Sequence, residues 1–404
     1  MKPTLGWTML SREEMRLVER SLTNGEQETR DEIGFLLIHQ GFADRFFPGT
    51  SVLQTRVRYA LFVPWVYEGL AQTRRRGRDL EGTLRDQLIT LARRLKILGK
   101  EKTGVIGGDV VHLNRLSSQP PDRVYWSALK SWGILLPQVD SASDALRRID
   151  GRVKRSPQDD DHGPLDDFES TEVFAKPFPP PKDWEDPSKP LNFALDDRER
   201  KFLRDNLRTL RRPDGELSLL ANLVAKKAGF AAKPDLELPA DLDNYADEVD
   251  KEALAVARDA AHLAAIGRIV YGALVETIRE QEGISKERTF RERLVNGFAK
   301  YGVAAKRCDL TTVEYFVPKI SSQVREVLQK TQAFVRANDP SDFFTLRGCY
   351  RDAEVDRKTI RRTRLAESGH AKDRRFEWEP NRYNTPPLHY RWFIVQDLLT
   401  DLNC

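Results

Sequence analysis

The chain has little cysteine, and what it has is widely spaced. Its 404 residues include three cysteines, Cys308, Cys349 and Cys404, and no two of them form a CxxC pair. An odd, sparse count argues against a disulfide framework and against a zinc site built on cysteine. The six histidines are scattered too, without an HExxH or HxxxH pair. We therefore predict no metal site and no cofactor.

Long apolar runs are also absent. No segment approaches roughly 18 uninterrupted apolar residues, so the sequence predicts no membrane span. The N-terminal letters MKPTLGWTMLSREEM hold no apolar run long enough for a signal peptide. Together with the sparse cysteines, these absences lead us to expect a cytoplasmic protein without membrane contact.

Familiar catalytic motifs are missing as well. The GVIGGD stretch at 104–109 has three glycines, but it lacks the GKS or GKT of a P-loop and does not fit GxGxxG. We interpret it as a turn. The leading prediction is therefore that the chain has no catalytic residues.

Apolar periodicity predicts a mainly α fold. At 404 residues, with 40% apolar and 32% charged residues, the chain exceeds one typical core. We predict two helical domains, 1–140 and 191–404, joined by a Pro/Asp-rich linker at 141–190. Helical spacing of apolar residues, with a break near Gly267, predicts helices over 11–22, 31–47, 51–67, 79–98, 125–132, 196–211, 218–228, 243–282, 289–301, 313–336, 342–366 and 388–402.

The letters YWSALKSWGI at 125–134 allow two interpretations. One is a helix that leads into a small winged-helix element, with VVHLNRL as the preceding helix and LPQVDS as a strand. The other is a helix anchored in the core by Trp126 and Trp132.

Segment 29–67 mixes charged and aromatic residues unusually closely. We predict a structural ion network, since arginine forks pair well with buried carboxylates. Two alternatives stay open: a phosphate or peptide-carboxylate site on the arginines, and a catalytic acid cluster of Asp31, Glu32 and Asp44. The network residues are Arg30, Asp31, Glu32, Arg56 and Arg58.

Two basic patches are candidates for nucleic-acid contact. Each phosphate that a patch neutralises would release counterions, although both could equally be solvated faces offset by the acidic linker. Tyr350 and Trp378 flank the second patch and could stack on bases, or belong to the core. The patch residues are Arg74, Arg75, Arg76, Arg78, Arg93 and Arg94 in the first, and Arg357, Arg361, Arg362 and Arg364 in the second.

Three segments carry a resemblance to a known family. They are TRDEIG…FADRFFPGTSVLQTRVRYALFVPWVY, GVIG followed by YWSALKSWGI, and the terminal LHYRW…DLL. The chain resembles an uncharacterised bacterial family known only as a domain of unknown function. The resemblance implies genes beside those for helicases and phospholipase-D-like proteins, in clusters that look like defence against phage. It supplies no catalytic residues.

The function we expect is that of a non-catalytic accessory protein in a bacterial defence-type system. It would bind a protein partner, a helicase or a nuclease, and DNA through the basic patches. One alternative is a nucleic-acid-processing enzyme of unfamiliar type that uses Asp31, Glu32 and Asp44. The other is a helical scaffold without nucleic-acid contact.

Overall fold

The fold is mainly α-helical, as predicted. The computed structural model describes residues 31–72, 79–154, 172–230, 237–358, 360–380 and 385–404. Within these ranges there is no β-strand, and the β-type pairing consists of two isolated antiparallel bridges. The predicted helix over 11–22 lies outside the described residues.

The described α-helices are numbered in chain order. They are α1 Leu36–Phe46, α2 Tyr59–Gln72, α3 Leu80–Arg93, α4 Pro121–Ser131, α5 Ala142–Lys154, α6 Asp197–Leu207, α7 Leu219–Ala225, α8 Glu248–Gln281, α9 Thr289–Arg307, α10 Leu310–Phe316, α11 Ser322–Ala337, α12 Arg347–Lys358, α13 Gly369–Phe376 and α14 Trp392–Asn403. A π-helical turn covers Arg94–Leu98, and 3-10 turns cover Val111–Leu113, Ala240–Asn244, Pro340–Leu346 and Ile360–Arg362.

Some predicted helix bounds need correction. Residues 51–58 form turns, and α2 begins only at Tyr59. The backbone N–H groups of Thr55 and Val57 donate to the Tyr125 hydroxyl and the Asp401 carboxylate, so a helix does not use them. The predicted helix over 313–336 is two helices, α10 and α11, with Pro318 between them.

Contact density divides the described chain into two compact units. Unit 1 contains residues 31–37, 259–314 and 318–388, and unit 2 contains residues 38–258, 315–317 and 389–404. These units do not follow the predicted boundary at 141–190, because the described parts of that segment belong to unit 2. Residues 142–154 form α5 rather than a linker.

The Pro-rich end of the predicted linker packs against the aromatic residues of α2 within unit 2. The Trp184 ring is stacked on Phe62, with ring centroids 5.9 Å apart, and meets Trp65 edge-on at 5.0 Å. The Trp65 indole N–H donates to the carbonyl of Phe178 over 2.6 Å. Aromatic burial of this kind stabilises a segment that has no secondary structure of its own. The acidic stretch 159–167 lies outside the described residues.

The core of unit 1 is built on α8. The predicted break near Gly267 is absent, and the helix is continuous from Glu248 to Gln281. Glycine is needed there for close packing, because a Cβ at Gly267 would lie 2.5 Å from the Phe35 ring carbon Cζ. Fully buried side chains on this part of the helix are Leu263, Ile266, Val270 and Leu274.

By length and composition, α8 could cross a membrane. Its most apolar 18-residue window has a mean hydropathy of 1.3, and 89% of that window is buried inside the protein. The core helix of a soluble protein passes the same test, so this helix is weak evidence for a span.

The winged-helix interpretation finds no support in the described residues. α4 covers most of the predicted helix, but Val111–Leu113 forms only a 3-10 turn, and a single bridge between Leu135 and Phe174 replaces the expected strand. Trp132 is buried, whereas Trp126 is half-buried and its indole N–H donates to the Asp140 carbonyl over 3.2 Å. The core-anchor interpretation therefore fits Trp132.

Candidate nucleic-acid interface

The two acidic residues of the predicted ion network pair with C-terminal cations in unit 1. Asp31 pairs with Arg357 over 2.6 Å, and Glu32 pairs with Arg364 over 2.9 Å. Lys358 also contacts Glu32. The predicted pairing of these carboxylates with the arginines at 56 and 58 is thereby corrected, since their partners come from a segment more than 300 residues away.

The arginines of the predicted network have partners within unit 2. Arg56 pairs with Asp401 over 2.7 Å, and Arg58 pairs with Glu199 over 2.7 Å. The hydrogen bond that the Arg56 guanidinium donates to Asp401 raises the pKa of Arg56, which therefore stays charged. Both pairs are structural, because each ties a turn before α2 to a helix far along the chain. Arg30 lies outside the described residues.

Each residue of the alternative acid cluster forms an ion pair. Asp31 and Glu32 are occupied by the ion pairs of unit 1, whereas Asp44 belongs to unit 2 and pairs with Arg391 over 2.6 Å. The side chain of Asp44 is 65% exposed. No group of three His, Cys, Asp or Glu residues that could hold a metal exists in the described part of the chain.

Glu354, a fully buried acid of unit 1, also has hydrogen-bond donors around its carboxylate. Its carboxylate accepts from the Tyr271 hydroxyl over 2.6 Å and from the backbone N–H groups of Arg364 and Leu365 over 3.0 and 2.9 Å. Burial raises the pKa of the Glu354 carboxyl, and these donors oppose that shift. The carboxylate fixes the chain after α12, which is a structural role.

Most of the predicted C-terminal basic patch is used inside unit 1. Arg357 and Arg364 are paired as described, and the helix predicted to align them ends at Lys358. Arg361 and Arg362 remain exposed and form no ion pair with the described residues. Tyr350 and Trp378 are buried at 0% and 2% exposure, so neither can stack on a base. The patch is thereby reduced to two arginines.

The N-terminal patch is divided between the surface and the interior. Arg93 is exposed, and its guanidinium donates to the Asn114 side chain over 2.9 Å. Arg94 is buried at 4% exposure, so its assignment to nucleic acid is corrected. It donates to the backbone carbonyls of Lys189, Trp184 and Asp183 over 2.9, 2.6 and 2.9 Å. Arg74, Arg75, Arg76 and Arg78 lie outside the described residues.

Arg93 is one member of a larger cationic surface on unit 2, which we call the Lys100 surface. It lies where α3 passes through its π-helical turn into the loops that follow. Lys96 is half-buried and the other members are exposed. The members of the Lys100 surface are Arg93, Lys96, Lys100, Lys102 and Arg115.

Short-range contacts bring the three segments of the Lys100 surface together. Arg93 bonds to Asn114, the neighbour of Arg115, and the Lys96 ammonium donates to the carbonyl of Lys102 over 3.2 Å. Lys100 and Asn114 both have positive φ values, 56° and 52°, which mark tight turns on either side of the loop. These contacts bring the segments that carry the cations close together.

Polar groups of unit 2 hold the loop that carries these cations. The Thr55 hydroxyl donates to the Gly104 carbonyl over 2.7 Å, and the backbone N–H of Ile106 donates to the Tyr59 hydroxyl over 2.9 Å. Gly99 allows a close approach of the chain, since a Cβ there would lie 1.9 Å from the Leu191 carbonyl oxygen. The GVIGGD turn is thus a supported loop and not a phosphate cradle of the P-loop type.

The Lys100 surface carries a charge that folding does not neutralise. Residues 93–115 contain six basic and two acidic residues, a net charge of +4. The one buried cation in this stretch is Arg94. Each of the five surface cations is without an ion-pair partner among the described residues. Elsewhere in unit 2, arginines such as Arg58 and Arg212 are matched by carboxylates.

Apolar side chains border the cations. Ile97, Leu98 and Leu113 are 49%, 39% and 54% exposed. The stretch 93–115 has no Phe, Tyr or Trp, so it offers no platform for base stacking. The surface therefore offers cations and exposed aliphatic side chains to a ligand.

Sequence reasoning found one end of this surface and missed the rest. Arg93 was predicted, whereas Lys96, Lys100, Lys102 and Arg115 were not. The missed signal is KILGKEK at 96–102, a lysine-rich stretch around a glycine at the end of an amphipathic helix. Glycine in that place indicates that the helix ends and that the lysines gather in a turn.

Comparison with known proteins gives one match. The model of a family described as a family of unknown function, DUF6361, matches residues 3–277. No curated protein and no solved structure matches the chain.

Proposed function

The chain belongs to the DUF6361 family of unknown function, as its sequence motifs predicted, and from its own surface we propose that it is a non-catalytic accessory protein that binds nucleic acid. The observation that carries the proposal is the Lys100 surface, with five grouped cations that lack ion-pair partners in the described residues. The helicase or nuclease partner, the defence role and the cytoplasmic location stay predictions that the resemblance and composition motivate.

Unpaired cations are informative in this protein because five of the seven buried arginines in the described residues form ion pairs, and the other two donate to backbone carbonyls. A surface cation that has no ion-pair partner among the described residues can bind a ligand of opposite charge. Lysine suits phosphates as a compact, strongly hydrated point charge. Three of the five members are lysines, Lys96, Lys100 and Lys102, and their segments converge within one loop cluster.

The composition of the surface favours backbone contact. Sequence-specific recognition uses an element that enters a groove, with side chains that bond to base edges. The Lys100 surface is a turn region with lysines and exposed aliphatic residues, and it has no aromatic residue. We therefore propose binding to duplex DNA that depends on salt and little on base sequence.

The ion pairs of the three candidate acids support the proposal that the protein is not catalytic. Asp31 and Glu32 are held by cations, and Asp44 is exposed beside Arg391. Asp31 and Glu32 are buried but their charges are neutralised by these cations, and Asp44 is open to water, so we propose no general acid or base role for them. The protein would therefore bring a nucleic acid to a partner and not cleave it.

The test compares two triple variants in fluorescence anisotropy titrations with a labelled random-sequence duplex. Lys100→Gln, Lys102→Gln and Arg115→Gln remove three charges from the Lys100 surface. The matched control removes the same charge from exposed lysines elsewhere, Lys227→Gln, Lys286→Gln and Lys319→Gln. Each lost phosphate contact should flatten the slope of log K against log salt by about 0.9, or about 2.7 for three.

We expect the surface variant to show the flatter slope between about 50 and 200 mM salt, and the control to resemble the wild type. Equal slopes for both variants would mean that only net charge matters, and the assignment to the Lys100 surface would be lost. Failure of the wild type to bind duplex DNA would refute the nucleic-acid function itself. The pair Arg361→Gln and Arg362→Gln tests the remaining C-terminal cations in the same assay, and we expect little effect.

A further inference from the structure

Helix α9 of unit 1 exposes an apolar face. Val303 is 78% exposed and Val295 is 58% exposed. Burial of a valine side chain away from water is favourable, so two exposed valines on one helix are unusual. Ala299, between them, is exposed as well. The opposite side of the helix is anchored in the core through Leu294 and Ala305. Among the residues that the structure describes, no apolar side chain covers this face of the helix.

The side chains along this face are arranged symmetrically about Ala299. Val295 and Val303 lie four residues before and after it, and Glu292 and Lys306 lie seven residues before and after it. At 100° per residue, all five positions fall within about 40° of Ala299 around the helix. The stripe therefore has apolar positions on either side of its centre and opposite charges at its ends.

We infer that this face pairs with the same face of a second copy of the chain, antiparallel, with the two-fold axis beside Ala299. In such an isologous contact, positions at equal distances on either side of the axis face each other. Val295 then packs against Val303 of the second copy, and Glu292 faces its Lys306. The small Ala299 side chain at the centre lets the two helices approach closely.

The charges distinguish this arrangement from its alternatives. In a parallel pairing, Glu292 would face Glu292 and Lys306 would face Lys306, so both ends would repel. The antiparallel pairing places opposite charges together at both ends. Glu292 is exposed without an ion-pair partner in the described residues, whereas Lys306 donates to the Asn338 side chain over 2.9 Å. An unrelated partner would not require a stripe that mirrors itself.

The proposed contact between the two α9 helices is short, so we expect the dimer to be weak. From Glu292 to Lys306 the helix rises about 21 Å, at 1.5 Å per residue. A contact of this length lies at the small end of specific interfaces. We therefore expect a dimer that dissociates on dilution and weakens with salt, because the terminal charges lie at the exposed rim.

Cysteine cross-linking tests the position of the axis. The background variant is Cys404→Ser, which removes the exposed cysteine and leaves the buried Cys308 and Cys349. A residue beside the axis meets its own copy, so Ala299→Cys should form a disulfide-linked dimer under a mild oxidant. The exposed position Lys286→Cys, outside the stripe, is the matched control and should remain monomeric. Equal cross-linking at both positions would overturn the assigned axis.

Sedimentation of the full chain over a range of concentrations tests the pairing itself. Val303→Glu should abolish the dimer, and its high exposure means that folding should be unaffected, which circular dichroism would verify. Glu292→Lys and Lys306→Glu should each weaken association, and the double reversal should restore it because opposite charges face each other again. A wild type that stays monomeric, a dimer that survives Val303→Glu, or a double reversal that does not rescue would each overturn the proposal.

Discussion

Removing the charge of Glu199 should destabilise unit 2 while leaving the N-terminus of α6 intact. Glu199 is 1% exposed, and one carboxylate oxygen accepts from the Arg58 guanidinium over 2.7 Å. Its other oxygen accepts from the backbone N–H of Asp196 over 3.0 Å, which completes a capping box at the start of α6. In Glu199→Gln, the amide oxygen can keep the capping bond. The same substitution removes the negative charge of the carboxylate that neutralises Arg58.

The cost follows from what remains around Arg58. Breaking a buried ion pair typically costs about 3–5 kcal/mol, because the remaining charge is left in a poorly solvated place. Arg58 keeps two acceptors in Asn192, its carbonyl at 2.8 Å and its side-chain oxygen at 3.0 Å. Its guanidinium also lies 5.3 Å from the centre of the Phe62 ring. We therefore expect the lower end, about 3 kcal/mol.

Differential scanning calorimetry would measure this cost as a lower melting temperature for unit 2. For a domain of this size, each kcal/mol shifts Tm by about 2–4 °C, so the expected shift is about 6–12 °C. Asp196→Ala is the control, since it removes the cap and keeps the ion pair, at a cost of about 1 kcal/mol.

A second variant separates the stranded charge from general damage to the core. Arg58→Met in the Glu199→Gln background removes the unpaired charge, so it should recover part of the lost stability. If Glu199→Gln is no worse than Asp196→Ala, or if the double variant recovers nothing, the assignment of Arg58 as a buried charge that depends on Glu199 is refuted.

Two further predictions concern unit 1. Gly267→Ala should lower the free energy of unfolding in urea by about 1–3 kcal/mol, because the added Cβ would clash with Phe35. The control Gly348→Ala meets no atom within 4 Å and should be neutral or slightly stabilising. Equal effects of the two substitutions would contradict the packing argument. The Arg375 side chain holds the pKa of the Glu282 carboxyl below its ordinary value of about 4.5. Its contribution is therefore complete above about 4.5 and is lost as the pH falls through the lowered pKa, so Arg375→Gln should flatten the acid side of the stability–pH profile.

Apolar spacing predicted the helices because it reports which side of a segment is buried. The predicted helix over 243–282 and the structural helix α8 nearly coincide, as a long stripe of buried side chains requires. Gly267 misled the prediction, since glycine can mark either a break or a close contact. The contact with Phe35, far away in sequence, decides between the two and leaves no local trace.

The turn at 51–58 shows a second limit. Its residues have helical spacing and no strong breaker after Gly49, so the sequence predicts a helix. The backbone of Val57 instead donates to Asp401, which also holds Arg56. These contacts span more than 340 residues of sequence. They outweigh local propensity, which is a weak determinant when tertiary contacts compete with it.

Charge density was the least reliable guide to the candidate interface, and the chemistry of the two cations explains why. Arg93 and Arg94 are neighbours, yet one is exposed and the other is buried against three carbonyls. A guanidinium has five donors in a planar fork and is weakly hydrated, so it can be buried when several acceptors surround it. An ammonium is strongly hydrated and stays at the surface.

The described residues follow this division, with seven buried arginines and no buried lysine. In a charge-rich helical protein, an arginine-rich stretch such as 357–364 is therefore an ambiguous sign of a ligand surface. Its arginines can instead form ion pairs and hydrogen bonds inside the protein. A lysine-rich stretch after a helix, such as 96–102, is the better sign, since its charges have little use inside. We therefore propose the Lys100 surface as the nucleic-acid interface because its cations are mainly lysines, and not because of the number of basic residues in the chain.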